Sequence, residues 1–323
     1  MKSLTKLFGL LIFVTLILSF APPSFSQPFP PNQPESGPGG RDYKHDGFYY
    51  NYYQFGPKAQ GFWIFEPFFP TPTAAPVVVL LHGWLAIDPY TYSGWISHLV
   101  LRGNVVIYPV YQDWWTLPDA ALENAIEGIK DSLQELKRPG HVPTDSTLFA
   151  ITGHSLGGYL SAMIADQAII KGLPAPKVVM PIEPGVELSS IPEQLSGIPQ
   201  TALMVVVQGE DDTIVDPELA KKIWQRIQHL PEENRDFIRY RTDRNGNPPL
   251  IADHFFPVST VKNMKSLNAL EFFGIWKIFD ALINASFYGT DREFALGNTP
   301  QQRWMGEWSD GVPVLEPVVT HNP

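Results

Sequence analysis

Thr147-Leu-Phe-Ala-Ile-Thr-Gly153-His-Ser155-Leu-Gly157-Gly-Tyr-Leu-Ser-Ala-Met-Ile164 runs a strand pattern directly into a helix pattern. Thr147 to Thr152 reads as a buried strand, and Leu156, Tyr159, Leu160, Met163 and Ile164 then recur at i, i+3, i+4, i+7 and i+8, one face of a helix. The junction matches G-x-S-x-G. A turn this tight leaves no room for bulk two residues before or after the serine, where the neighbouring strand and helix approach, hence glycine at 153 and 157. The geometry predicts a serine oxygen exposed above a sheet. It also predicts helix N–H groups, beginning at Leu156, directed at any negative charge that develops there.

On either side of this junction the chain alternates between strand and helix. Val77 to Leu81 is a continuous β-branched and apolar run, suited to a strand buried on both faces. Asn104 to Val110 reads as a second buried strand, followed by a helix marked by Leu122, Ile126, Ile129, Leu133 and Leu136. Lys177 to Ile182 and Ala202 to Val207 are further strands, and Asp216-Pro217 opens a helix carrying Leu219, Ile223 and Ile227. Phe237 to Tyr240 is expected to be the last strand and Leu267 to Phe287 the final long helix. Upstream, Phe48 to Phe55 and Phe62 to Phe65 are aromatic-rich runs, the pattern of two antiparallel strands at a sheet edge. The alternation implies one α/β domain with a parallel sheet, undivided by repeat or linker. A dinucleotide-binding sheet is disfavoured, because no Gly-rich turn follows the first parallel strand.

The 323 residues are 44% hydrophobic and 13% aromatic, ample for a core in one large or two small domains. With 33 acids against 23 bases the net charge is −10, and no basic tract interrupts it, which speaks against nucleic acid or an anionic membrane as partner. The absence of cysteine excludes disulfides, thiolate metal sites and thiol nucleophiles. Residues 1–26 have the charged, apolar and small-residue order of a secretory signal, with cleavage expected between Ser26 and Gln27. The apolar run from Leu7 to Ala21 is short of the roughly 20 residues that span a bilayer; a retained anchor is the alternative. Cleavage predicts a secreted or periplasmic protein with no stable membrane insertion, and removes Lys2 and Lys6. Residues 27–44 read as an extended Pro/Gly-rich leader, 45–290 as the catalytic domain, and 291–323 as a C-terminal extension packing on it or trailing from it. The sequon Asn284-Ala-Ser286 is read as chance.

Taken with two further motifs, the junction resembles the α/β-hydrolase superfamily, from about residue 47 to 290. Those motifs are His82-Gly83-Trp84, closing the Val77 to Leu81 strand, and Gly209-Glu-Asp-Asp212-Thr-Ile-Val215 after a late strand. The resemblance implies a mostly parallel central sheet with helices on both faces. It implies Ser155 as nucleophile and the backbone amides of Trp84 and Leu156 as the oxyanion hole, with His82 a structural residue of that loop. The family order of serine, acid and histidine puts the acid in the Gly209 loop and the base beyond it. Counting from Gly209 selects Asp212, with Asp211 the nearest rival; Asp216 reads as the N-cap before Pro217, and Glu210 as solvated. His229, His254 and His321 all lie beyond the acid. His254, in a loop after the last expected strand, is selected over His229 near a helix end and His321 in the Pro-rich tail. Asp253 is read as a loop carboxylate.

The expected chemistry is acyl transfer to serine. An imidazole with an ordinary pKa near 6.5 can take the serine proton and return it to the leaving group, and the carboxylate steadies the imidazolium. No metal or organic cofactor is called for. Serine at the elbow separates the chain from the haloalkane dehalogenase and epoxide hydrolase branches, which use aspartate, and from dienelactone hydrolases with cysteine, although the compact architecture is similar to the latter. The segments after two of the strands read as aromatic loops, with Trp84, Tyr90, Tyr92 and Trp95 after the Val77 to Leu81 strand and Trp114 and Trp115 after the next, either as an acyl cleft or as core. Trp84, Tyr90, Trp114 and Trp115 are the candidate substrate contacts. The expected function is an esterase for apolar or aromatic esters, small or polymeric. An acyltransferase, a serine peptidase and a non-catalytic binding protein on the same fold remain as alternatives. Glu183 to Gln200 is too short for a cap domain, so a lidless cleft similar to that of cutinase-like enzymes is expected.

Overall fold

A computed structural model describes residues 27–113, 116, 118–188, 190–261, 264, 265 and 267–323. The strands are β1 (Gly47–Tyr53), β2 (Phe62–Phe68), β3 (Ala75–Leu81), β4 (Val105–Pro109), β5 (Thr144–His154), β6 (Val178–Ile182), β7 (Leu203–Gly209), β8 (Arg235–Tyr240), the short pair β9 (Thr260–Val261) and β10 (Met264–Lys265), and β11 (Val318–Thr320). The helices are α1 (Ser93–Leu101), α2 (Ala121–Glu135), α3 (Leu156–Gln167), α4 (Pro217–Arg226), α5 (Trp276–Tyr288) and the single-turn α6 (Pro300–Arg303).

Nine strands make one mixed sheet in the order β1-β2-β4-β3-β5-β6-β7-β8-β11. β3 to β8 are parallel, while β1, β2 and β11 are antiparallel to their neighbours at the two margins. The parallel strands carry unbroken apolar runs because both faces are covered, and β3, β4, β6 and β7 are buried at every residue. Val77, Val79 and Leu81 pack with Ile126, Leu160 and Ile223 of α2, α3 and α4 on one face. Val78 and Leu80 pack with Trp95, Leu99, Trp276 and Phe279 of α1 and α5 on the other. Strand order reverses beside β3, whose partners are β4 on one side and β5 on the other. Leu81 is therefore level with Gly153, and the loops leaving these two strands start side by side, at the kind of crevice where open α/β sheets take their ligands.

Three expectations need correction. The aromatic segment after β3 is not only loop: Ser93 to Leu101 form α1, and Tyr92 and Trp95 are buried core residues. Phe237 to Tyr240 is not the last strand, because Val318–Thr320 returns to pair antiparallel with β8. A segment this short and proline-flanked has no alternation to read; pairing with an open sheet edge makes it a strand. The final helix is broken. Residues 270–275 form a π-helical turn with non-helical dihedrals at Gly274, whose Cα packs so closely on the Tyr240 ring that a Cβ would stand 3.1 Å from it. Residues 27–44 contain neither helix nor strand but are tied along the body. Gly39 N–H donates to Asp280 Oδ2 at 2.8 Å and Phe29 N–H to Ser309 Oγ at 2.9 Å. Among the described residues no helix is long and apolar enough to cross a membrane.

Candidate active site

Ser155 sits between the last residue of β5 and the first of α3 with φ +58 and ψ −122, a left-handed conformation that costs a non-glycine residue energy. The surrounding backbone enforces it. Ser155 N–H donates to Ile182 O, and its carbonyl accepts from Tyr159 and Gly185 N–H. A Cβ on Gly153 would stand 2.3 Å from Gly157 O, and one on Gly157 would stand 2.2 Å from Leu81 O, so both positions demand glycine through close approach.

Ser155 Oγ lies 3.0 Å from His254 Nε2, and His254 Nδ1 lies 2.8 Å from Asp212 Oδ2. The three side chains come from the ends of β5 and β7 and from the loop after β8. Asp212 Oδ1 accepts from Ile214 and Val215 N–H at 2.8 and 3.2 Å. Burial works against its ionised form, but the His254 hydrogen bond and these two amides outweigh burial and hold the carboxyl below its ordinary value. The rival acids are otherwise engaged. Asp211 turns to Thr242 Oγ1 and Arg244, and Asp216 caps α4 by accepting from Glu218 N–H at 2.9 Å. The rival histidines are likewise occupied: His229 Nε2 meets Ile198 O, and His321 bridges Glu232 and Asp236.

The loop after β3 is pinned beside Ser155. Gly83 N–H donates to Tyr92 Oη, Leu85 N–H to Gln112 Oε1 and Ala86 N–H to Gly83 O. Leu85 has φ +56, and among the described residues the intervening Trp84 N–H has no protein acceptor. Leu156 N–H belongs to the first turn of α3, where helix donors lack intrahelical acceptors. His82 is fully buried, stacked on Tyr111 at 4.0 Å between ring centroids, and donates from Nδ1 to Gly83 O. Burial lowers its pKa to about 4, as befits a neutral structural ring.

Sequence reading missed the role of His154. A carbonyl can only accept, so His154 Nε2 carries the proton it shares with His254 O at 2.8 Å. Burial, together with the neighbouring His254, lowers the His154 pKa to about 3; the ring is neutral, and its bare Nδ1 accepts from Tyr92 Oη–H at 2.8 Å. Tyr92 in turn accepts from Gly83 N–H at 3.0 Å. One chain of hydrogen bonds thus joins the loop after β3, the elbow and the histidine loop.

The cleft over Ser155 has a volume of about 360 Å³ and is lined by Gly83, Trp84, Ala86, Thr91, Tyr92, His154, Ile214, His254, Phe255 and Val258. Trp84, Ile214 and Phe255 are 45%, 63% and 47% exposed, so its rim is apolar and open to solvent. Among the described residues of 183–200 there is no helix or strand that could cover it. Of the expected substrate contacts, Trp84 lines this cleft. Tyr90 instead lines a separate cleft of about 220 Å³ with Tyr50 and Trp63, and Trp114 and Trp115 lie outside the described residues. Ile214 and Phe255 were legible only as chain neighbours of Asp212 and His254. The one metal-type donor group among the described residues is His154, Glu183 and His254, with ligand atoms within 4.8 Å of one another. An ion there would have to displace the hydrogen bonds that His254 makes to Asp212 and that His154 makes to His254 O.

No protein-family model matches the chain, and no curated protein matches it either. Its mixed α/β fold and the site itself carry the functional argument.

Proposed function

We propose that the chain is an exported serine carboxylic-ester hydrolase of the α/β-hydrolase superfamily, acting on apolar or aromatic esters. One observation carries the reading: Ser155 Oγ, His254 and Asp212 form a continuous hydrogen-bonded line at 3.0 and 2.8 Å on a strained strand-to-helix turn. In this reading neutral His254 removes the Ser155 proton as Oγ attacks the ester carbonyl. Asp212 keeps Nδ1 protonated and stabilises the imidazolium. Negative charge gathering on the carbonyl oxygen meets the Trp84 and Leu156 amides, donors fixed before the reaction begins. His254 then protonates the leaving alkoxide, and the same residues activate water to release the acid. Trp84, Ile214 and Phe255 offer the acyl or alcohol part an apolar wall. Export with cleavage before Gln27 rests on the sequence of residues 1–26.

A panel of chromogenic esters and amides, with and without an added alcohol acceptor, tests the proposal. The expected result is ester turnover well above amide turnover, with water the main acceptor. Amide cleavage at comparable rates would indicate a peptidase, dominant transfer to alcohol an acyltransferase, and no turnover a binding protein.

A further inference from the structure

Glu183 is a buried acid beside the triad to which the mechanism gives no part. It follows β6 with φ +44, and its N–H donates to Val207 O at 2.8 Å. Its side chain is fully buried, with Oε2 3.5 Å from His154 Nε2 and 3.9 Å from His254 Nδ1. The Gly209 N–H is the one backbone donor that bears on it, and neither oxygen accepts a well-formed hydrogen bond. Among the described residues its only ion-pair neighbours are those two histidines, and His154 is neutral. The titratable groups facing it are Asp212 and Asp253, with Tyr92 behind His154. Room for it exists because position 209 is glycine; a Cβ there would stand 2.4 Å from Glu183 Oε1.

Two carboxyls in one dry pocket cannot both ionise cheaply. Asp212 has three well-formed donors to hold its charge, and Glu183 has only the poorly aligned Gly209 N–H. We propose that Glu183 is a positioning residue, a protonated carboxyl that donates to Asp212 and so fixes the carboxylate face turned to His254 Nδ1. Burial, then the charges of Asp212 and Asp253, raise the Glu183 pKa well above the ordinary value, in keeping with this. The inference rests on the triad reading of Asp212 and His254.

Two measurements on the full chain test it. In ester turnover, Glu183→Gln, whose amide can still donate to Asp212, is expected to lose about threefold, and Glu183→Leu about thirtyfold. In the Asp212→Asn background the same Leu substitution should cost less than about threefold, because the carboxylate it positions is gone. Equal losses for Gln and Leu, or full additivity with Asp212→Asn, would overturn the proposal. The second measurement needs no activity and holds even if the leucine variant does not fold. A carboxyl whose pKa is raised by folding stabilises the fold below the unfolded-state value and loses that contribution as pH climbs toward the folded value. The melting temperature of Glu183→Gln relative to the parent should therefore rise steadily from pH 5 to 8. A flat or falling difference, as an ionised and paired carboxylate would give, overturns the proposal alone. No turnover in any variant, with the rising melting difference intact, would overturn the hydrolase reading and leave the shared proton standing.

Discussion

At the level of single residues, Asp211 and Asp212 give the sharpest contrast. They are chain neighbours with the same side chain, yet Asp212 meets His254 while Asp211 turns to Thr242 and Arg244. Asp212→Asn is expected to lower ester turnover by about 10⁴, since the asparagine favours the wrong imidazole tautomer. Asp211→Asn, which weakens an exposed ion pair with Arg244 and keeps an acceptor for the part-buried Thr242 hydroxyl, should change it less than about threefold. Steady-state kinetics on both variants checks this, and equal losses would unseat Asp212. The elbow motif made Ser155 legible, because a tight turn constrains residue type, and Asp212 and His254 were selected through the family order that the resemblance implies. Glu183 and His154 were not legible as partners. Their importance comes from which strand ends lie side by side, and nothing in the local sequence reports that.

At the level of elements, Tyr92 and His154 join three loops leaving different parts of the sheet. Tyr92→Phe would leave His154 Nδ1 and Gly83 N–H buried without their partner, at a cost of about 1–3 kcal/mol each. The expected result is a lower melting temperature together with slower turnover, because the Trp84 amide sits on the loop that Gly83 begins. Unchanged melting would mean that water or a neighbour replaces the hydroxyl. Asp280 ties other elements together, accepting from Gly39 N–H, His98 Nε2 and Arg102 Nε. Asp280→Ala should destabilise the fold by about 2–4 kcal/mol, because His98 Nε2 and Gly39 N–H lose their buried acceptor while Arg102 keeps only Asp42 as an acidic partner, and should speed proteolysis within residues 27–44. The parallel strands were readable because burial on both faces leaves an unbroken apolar run. α1 and β11 were not. Aromatic residues and a leading Asp88-Pro89 disguised the first as loop, and the second is three residues that become a strand only by pairing with β8.

Across the whole molecule, charge and site combine in the pH response. Burial opposes ionisation of Asp280, but His98 and Arg102 hold its carboxyl below the ordinary 3.8, and Asp212 is held down by His254 and two amides. Groups lowered in this way contribute stability that is complete above the unfolded-state value and is lost as pH falls through the folded one. Denaturant midpoints are therefore expected to decline below about pH 4, where these carboxylates take up protons. A midpoint that held steady down to pH 2 would show that neither pair contributes. The α/β class and the sheet's parallel centre could be read from alternation alone, whereas the order of the strands could not, since chain order says nothing of the reversal beside β3. That reversal sets Trp84 and Ser155 next to each other and makes the cleft. The most direct test of the whole account is to treat the protein with a fluorophosphonate and locate the adduct by peptide mass spectrometry. A single stoichiometric adduct on Ser155, abolished in His254→Ala, is the predicted result. An unlabelled protein, or an adduct on another serine that persists in Ser155→Ala, would contradict it.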